Sequence, residues 1–134
     1  MQSGGSENRE DLKANSAKIF DSYLKNGFTE AGFLKESVNY DKNFEDPVHS
    51  IRRQSEGLYA IFHFLAYEKE KGRKHPEWEQ RLKNMLNMFL QLQNADGSFP
   101  RKFRDDFSIV DKSGGSTPSA TLPLVMGYKY FKDK

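Results

Sequence analysis

Residues 57–67 would be apolar on nearly every side of a helix, and such a helix has to be covered from several directions. Residues 119–131 repeat the pattern, with Leu122, Leu124, Val125, Met126, Tyr128, Tyr130 and Phe131 spread around the axis. Two inner helices in a chain of 134 residues leave the other segments with the task of covering them. A chain of this length makes one domain and hides about two-thirds of its unfolded surface.

The covering segments carry one-sided stripes. Residues 7–26 place Leu12, Ile19, Phe20, Tyr23 and Leu24 on one helical face, and Asn26-Gly27 is a stop signal. Asp46-Pro47 is expected to open the second helix, Asp as cap and Pro at the first helical position, and the helix then runs to about Gly72. His75-Pro76 opens the third, whose stripe is Trp78, Leu82, Met85, Leu86, Phe89, Leu90 and Leu92, and Asp96-Gly97 ends it. Thr117-Pro118 opens the fourth, which Pro123 is expected to bend or shorten. Residues 1–6 read as a flexible leader or expression remnant, and residues 7–134 as a single domain.

The order is one-sided helix, long loop, inner helix, short turn, then the same again, an internal repeat of about 70 to 90 residues. It predicts an all-α fold of two stacked helical hairpins, with both long loops gathered at one end beside the N-termini of the inner helices. Those loops hold Phe28, Phe33, Tyr40, Phe44, Phe99, Phe103 and Phe107. Disordered loops are poor in aromatics, so both are expected to fold down onto the helix ends.

Composition excludes several classes. The net charge is +2, with Lys and Arg interleaved among Asp and Glu, so there is no basic stripe for a nucleic-acid partner. No run reaches the ~18 apolar residues of a membrane span, so no membrane partner is expected. The chain has no cysteine, which removes disulfides, thiol nucleophiles and cysteine metal sites. His49, His63 and His75 share no metal-ligand spacing; His49, near the loop end, is read as a proton carrier or, more simply, a helix-surface residue, His63 as a core residue and His75 as a turn residue. The Gly-rich residues 113–117 lack the Lys of a phosphate loop. No cofactor is expected.

Gln93 to Pro100 at the end of an outer helix, residues 52–65 opening one inner helix and residues 114–131 opening the next together resemble the (α/α) toroid of the six-hairpin glycosidases, a group that includes glycoside hydrolases and polysaccharide lyases. Gln93, Gly97 and Phe99 are also similar to the Q-x-x-x-G-x-W repeat of terpene cyclases, with Phe99 where Trp is usual. A toroid has about six hairpins and this chain has two. The resemblance therefore implies part of a carbohydrate-active protein that handles an oligo- or polysaccharide at its long-loop end and is not catalytic in isolation. The alternatives are a helical-repeat interaction module, forming a homo-oligomer or packing on the remainder of a larger chain, and a terpene-cyclase-like toroid, for which the Asp-rich metal motif is missing.

Glycosidases work with two carboxylates. Glu56 and Asp105 are the candidates here, with Glu36, Asp41, Asp96 and Asp106 nearby in the loops. Glu56 sits in the buried second helix as either a cleft acid or the ion-pair partner of Arg52 or Arg53. Asp105 and Asp106 could equally be turn residues bridged to Arg101 and Arg104. Arg53, Arg101 and Arg104 are the substrate-binding candidates, since guanidinium forks suit the carboxylates of uronic acids. Tyr40, Phe103 and Phe107 are expected to stack on sugar rings, or else to plug the end of the core. No metal site is assigned.

Overall fold

The computed structural model describes residues 4–36, 38–39, 44–45 and 48–132. Helix α1 spans Gly4–Asn26, so its first turn takes in residues read as leader. Two short strands, β1 (Val38–Asn39) and β2 (Phe44–Glu45), pair antiparallel. Strand β3 (Val48–Ser50) leads directly into α2 (Ile51–Glu70), and α3 is Pro76–Leu92. Strands β4 (Lys102–Arg104) and β5 (Ile109–Asp111) precede α4 (Thr117–Phe131).

The expected all-α architecture of stacked hairpins is overturned. Strands β3, β4 and β5 form a three-stranded antiparallel sheet in that order, so the fold mixes α and β. Its register sets Val48 opposite Arg104, His49 opposite Phe103 and Ser50 opposite Lys102. These segments looked like loop because each strand is three residues long, too short for alternation to stand out. The partner of β3 also lies more than fifty residues away, although β4 and β5 pair as a local hairpin. Once paired, β4 alternates exposed, buried, exposed, with Phe103 inward.

Helix α2 also starts later than expected. Asp46 and Pro47 lie outside the described residues, and the cap is Ser50, whose Oγ accepts the Arg53 N–H at 3.1 Å. Pro123 sits inside α4 without ending it.

The core is made by α2, α3 and the loops laid across them. Leu58, Phe62 and Leu65 of α2 are fully buried with Trp78, Leu82, Met85 and Phe89 of α3, and Phe33, Phe99 and Phe103 close the loop end. Each such side chain contributes roughly 1.5–3 kcal/mol on burial. Helix α4 packs chiefly on α2. A Cβ added at Gly127 would meet Leu86 Cδ1 at 2.6 Å and Phe62 Cζ at 3.2 Å, so this glycine permits the close approach. Helix α1 is attached through its C-terminal half, where Phe20 stacks on Phe64 with centroids 4.0 Å apart.

The inner helices are covered on fewer sides than their composition implied. Ala60 and His63 of α2 are exposed, as are Leu122, Val125 and Tyr128 of α4. His63 is therefore a surface residue against Tyr59, not a core histidine. Leu12 and Ile19 of the expected α1 stripe are exposed as well.

Candidate binding site

Where β3 turns into α2, the backbone has to leave a sheet and begin a helix, and its polar groups need partners on both sides. Glu36, from the first loop, supplies them. Its carboxylate accepts the Ser50 N–H at 2.9 Å and the Ser50 hydroxyl at 3.3 Å, placing a negative charge at the positive end of α2. Gln54, one turn into α2 and fully buried, fixes Glu36 in place. Gln54 Nε2 donates to Glu36 Oε2 at 2.8 Å and to the Leu34 carbonyl at 2.7 Å, while Oε1 accepts the Leu34 N–H at 2.9 Å.

His49 stands between this group and the β4–β5 turn. It is 1% exposed, under the rings of Phe33 and Phe103 at 5.3 and 5.7 Å. Nε2 lies 2.7 Å from Asp105 Oδ1 and Nδ1 lies 3.4 Å from Glu36 Oε2. The second contact falls short of hydrogen-bond geometry, and Nδ1 has no other partner; it is an attraction between charges when the ring is protonated. Asp105 Oδ1 also accepts from Thr29 Oγ1 at 3.1 Å. Burial alone would lower the pKa of His49, but Glu36 and Asp105 together outweigh it and raise the value above the ordinary one.

This junction forms one wall of a polar depression of about 860 Å³. Glu36, His49 and Ser50 lie on the junction side; Arg52, Arg53 and Glu56 come from α2, and Arg101 and Lys102 from the start of the β4–β5 hairpin. The described lining is rich in cations. Arg52 is paired with Glu56 at 3.1 Å, and Arg101 reaches Asp111 only at 4.0 Å. Among the described residues no group of three His, Asp or Glu is arranged to hold a metal ion, and none of the helices is long and apolar enough to cross a membrane.

The structure thus brings Glu36, Arg53, Glu56 and Arg101 to one depression, and Asp105, Arg104 and Phe103 lie outside its described lining. Glu56 is not a buried acid: its side chain is 63% exposed and ion-paired one turn along to Arg52. Asp105 belongs to the hairpin turn and is bonded to His49, not bridged to an arginine. Arg104 is exposed on β4 opposite Val48. Phe103 has no exposed surface and packs on Phe33, so it plugs the core and is not free to stack on a sugar. Tyr40 and Asp41 lie outside the described residues. Asp96 caps its own turn by accepting the Ser98 N–H at 2.9 Å. Beside it Gln93 Nε2 donates to the Gly97 carbonyl at 2.9 Å, and Phe99 is buried against Phe89.

Gln54 and Lys102 were not among the sequence candidates, and His49 was weighed only as a proton carrier on a helix surface, whereas it is a buried strand residue. Its signal was absent, because its burial follows from pairing with β4. Gln54 had one: it falls on the stripe Ile51, Leu58, Ile61 and Leu65, where a polar residue must find partners.

Comparison of the chain with protein families, curated proteins and solved structures returns no match.

Proposed function

We propose that the chain is a binding module for an anionic, carboxylated oligo- or polysaccharide, which occupies the depression between α2 and the β4–β5 hairpin. The observation that supports this reading is the cationic rim of Arg53, Arg101 and Lys102 around one concavity of about 860 Å³. Guanidinium groups pair with carboxylates in a fork, and charge-assisted bonds of this kind are roughly twice as strong as neutral ones, which suits the carboxylates of uronic acids. Ser50, Ser116, Glu36 and Glu56 lie in the same lining and offer partners for sugar hydroxyls. The reading is binding without turnover. Glu36 already serves Ser50 and Gln54, Glu56 serves Arg52, and Asp105 is engaged by His49 and Thr29.

Calorimetric titration with polygalacturonate at low salt, with dextran as the uncharged control, tests the reading. Binding of the first polymer alone is expected, weakened about tenfold by Arg53→Gln and by Arg101→Gln, the weight of one charge-assisted bond of roughly 1.5 kcal/mol. Equal affinity for dextran, or no binding to either, would remove the proposal.

A second reading, association with a second copy of the chain, is favoured by α4. Leu122, Val125 and Tyr128 leave an apolar strip open on this helix, with Tyr128 73% exposed. Sedimentation of the chain and of Val125→Glu decides it: a dimer that dissociates in the variant supports the reading, and a monomer at all concentrations dismisses it.

A further inference from the structure

We propose that His49 is a proton-operated clasp on the depression: with both ring nitrogens protonated it holds Glu36 and Asp105 together and adds a positive charge to the wall, and on losing a proton it loosens the β4–β5 hairpin and weakens the hold on an anion. The inference rests on the reading of the depression as an anion site and names its regulation.

The geometry carries it. One buried ring lies between two carboxylates, Asp105 Oδ1 at 2.7 Å from Nε2 and Glu36 Oε2 at 3.4 Å from Nδ1. A neutral imidazole has one N–H and one lone pair, so it can serve one of these acceptors and must turn the lone pair on the other. Only the imidazolium suits both. The two carboxylates are not equally free to respond. Glu36 is 6% exposed at its side chain and keeps Ser50 and Gln54 as donors whatever the ring does. Asp105 is 46% exposed and, among the described residues, otherwise holds only the Thr29 hydroxyl. Strain at a neutral ring is therefore relieved at the hairpin turn, which water can solvate.

Among the described residues, the charges that face the ring are those of Glu36 from the first loop and Asp105 from the turn. Helix α2 adds the uncharged Gln54 behind Glu36, and Arg52, Arg53, Arg101 and Lys102 share the depression with His49. Loss of the proton changes the Glu36–His49–Asp105 group from one net negative charge to two, beside a site that takes an anion. The hairpin that Asp105 anchors is the element that carries Arg101 and Lys102 to the rim. Charge and geometry push the same way.

The test uses the intact chain. Long-range proton–nitrogen spectra of the His49 ring across pH 5 to 9 report its protonation directly, and backbone amides of residues 104–108 report the hairpin. The expected result is a doubly protonated ring at pH 6, titrating above the same histidine in a short peptide, with the hairpin amides moving in step. Polygalacturonate, whose carboxylates stay ionised throughout, is expected to bind about tenfold more weakly once the ring is neutral. In Asp105→Asn that pH dependence is expected to flatten. A ring with a single proton at pH 6, or hairpin amides that ignore its titration, would overturn the clasp even if the polymer binds. An affinity that stays constant through the titration would overturn its role at the site. Absence of binding at any pH, with the ring and hairpin titrating as expected, would sink the anion-site reading and leave the clasp as an element of the fold only.

Discussion

Phe107 closes the β4–β5 hairpin with a φ of +68°, and its ring meets Phe33 edge-on with centroids 5.8 Å apart. The turn holds three residues between Arg104 and Ser108, bounded by the Arg104 N–H to Ser108 carbonyl bond and the Phe107 N–H to Arg104 carbonyl bond, both 2.9 Å. Its last residue takes the left-handed conformation that usually falls to glycine. A bulky residue there costs about 1–2 kcal/mol, which the packing of the ring offsets. Phe107→Gly loses the ring but relieves the backbone; Phe107→Ala loses the ring and keeps the strain. Urea unfolding is expected to rank the wild type first, the glycine variant second and the alanine variant last, the two variants about 1 kcal/mol apart. An alanine variant as stable as the glycine one would show that the turn is unstrained.

Gln54 is the buried polar residue with the most to lose. Replacement by Leu keeps the volume but leaves the Leu34 N–H and carbonyl without the partners seen here and takes one donor from Glu36 Oε2, which keeps the Ser50 N–H. Stranding buried polar groups costs about 1–3 kcal/mol each. A loss of roughly 2–4 kcal/mol in chemical denaturation is expected for Gln54→Leu, with the amides of residues 33–36 exchanging faster than in the wild type. Unchanged exchange there would mean the loop holds without Gln54.

Phe103 separates core from ligand surface. Phe103→Ala is expected to cost about 3–5 kcal/mol, as for other large buried aromatics. Phe103→Leu should fold and bind polygalacturonate as the wild type does. A Leu variant of normal stability with lost affinity would return Phe103 to the binding surface.

Glu56 and Arg52 make an exposed pair one turn apart, 71% and 63% exposed for the arginine and the glutamate. Such pairs contribute about 0.3–0.5 kcal/mol. Glu56→Gln is therefore expected to change the urea midpoint barely at all. A loss well above 1 kcal/mol would place the carboxylate in a network beyond Arg52.

Glu68 links the end of α2 to the turn before α3. It is buried and accepts from Arg73 Nε at 2.8 Å and from His75 Nε2 at 3.0 Å. The hydrogen bond from Arg73 holds its pKa below the ordinary 4.5, burial opposes this, and His75 adds to the lowering. A carboxyl depressed on folding stabilises the fold above its unfolded pKa, and that contribution fades as the pH falls through the folded value. Glu68→Gln is expected to lose about 1 kcal/mol at pH 7, a figure discounted for the half-exposed guanidinium. The gap to the wild type should close on acidification below about pH 4.5. Thermal unfolding of both forms from pH 7 to pH 3 measures it, and a gap that widens in acid would contradict the assignment.

The helices were legible in the sequence because each carries its own signals. Trp78, Leu82, Met85 and Phe89 recur at the helical period and point inward whatever lies opposite, and Pro76 and Gly97 mark the limits through their own backbones. The acids of the turns could be read as turn residues for the same local reason, as Asp96 with Ser98 illustrates. The sheet was not legible. Val48–Ser50, Lys102–Arg104 and Ile109–Asp111 are each too short to state a period, and β3 joins the sheet only because β4, more than fifty residues on, satisfies its backbone. That pairing buries His49 and Phe103 against each other and brings Arg101 and Lys102 across from Arg53. It also determines what a helical face means. Ser55 and Leu58 turn inward, so Glu56, a hundred degrees around the helix from Ser55, is carried out into water beside Arg52. Local backbone preference and hydrophobic period determined the helices; partners remote in sequence decided the sheet, the buried histidine and the depression beside it.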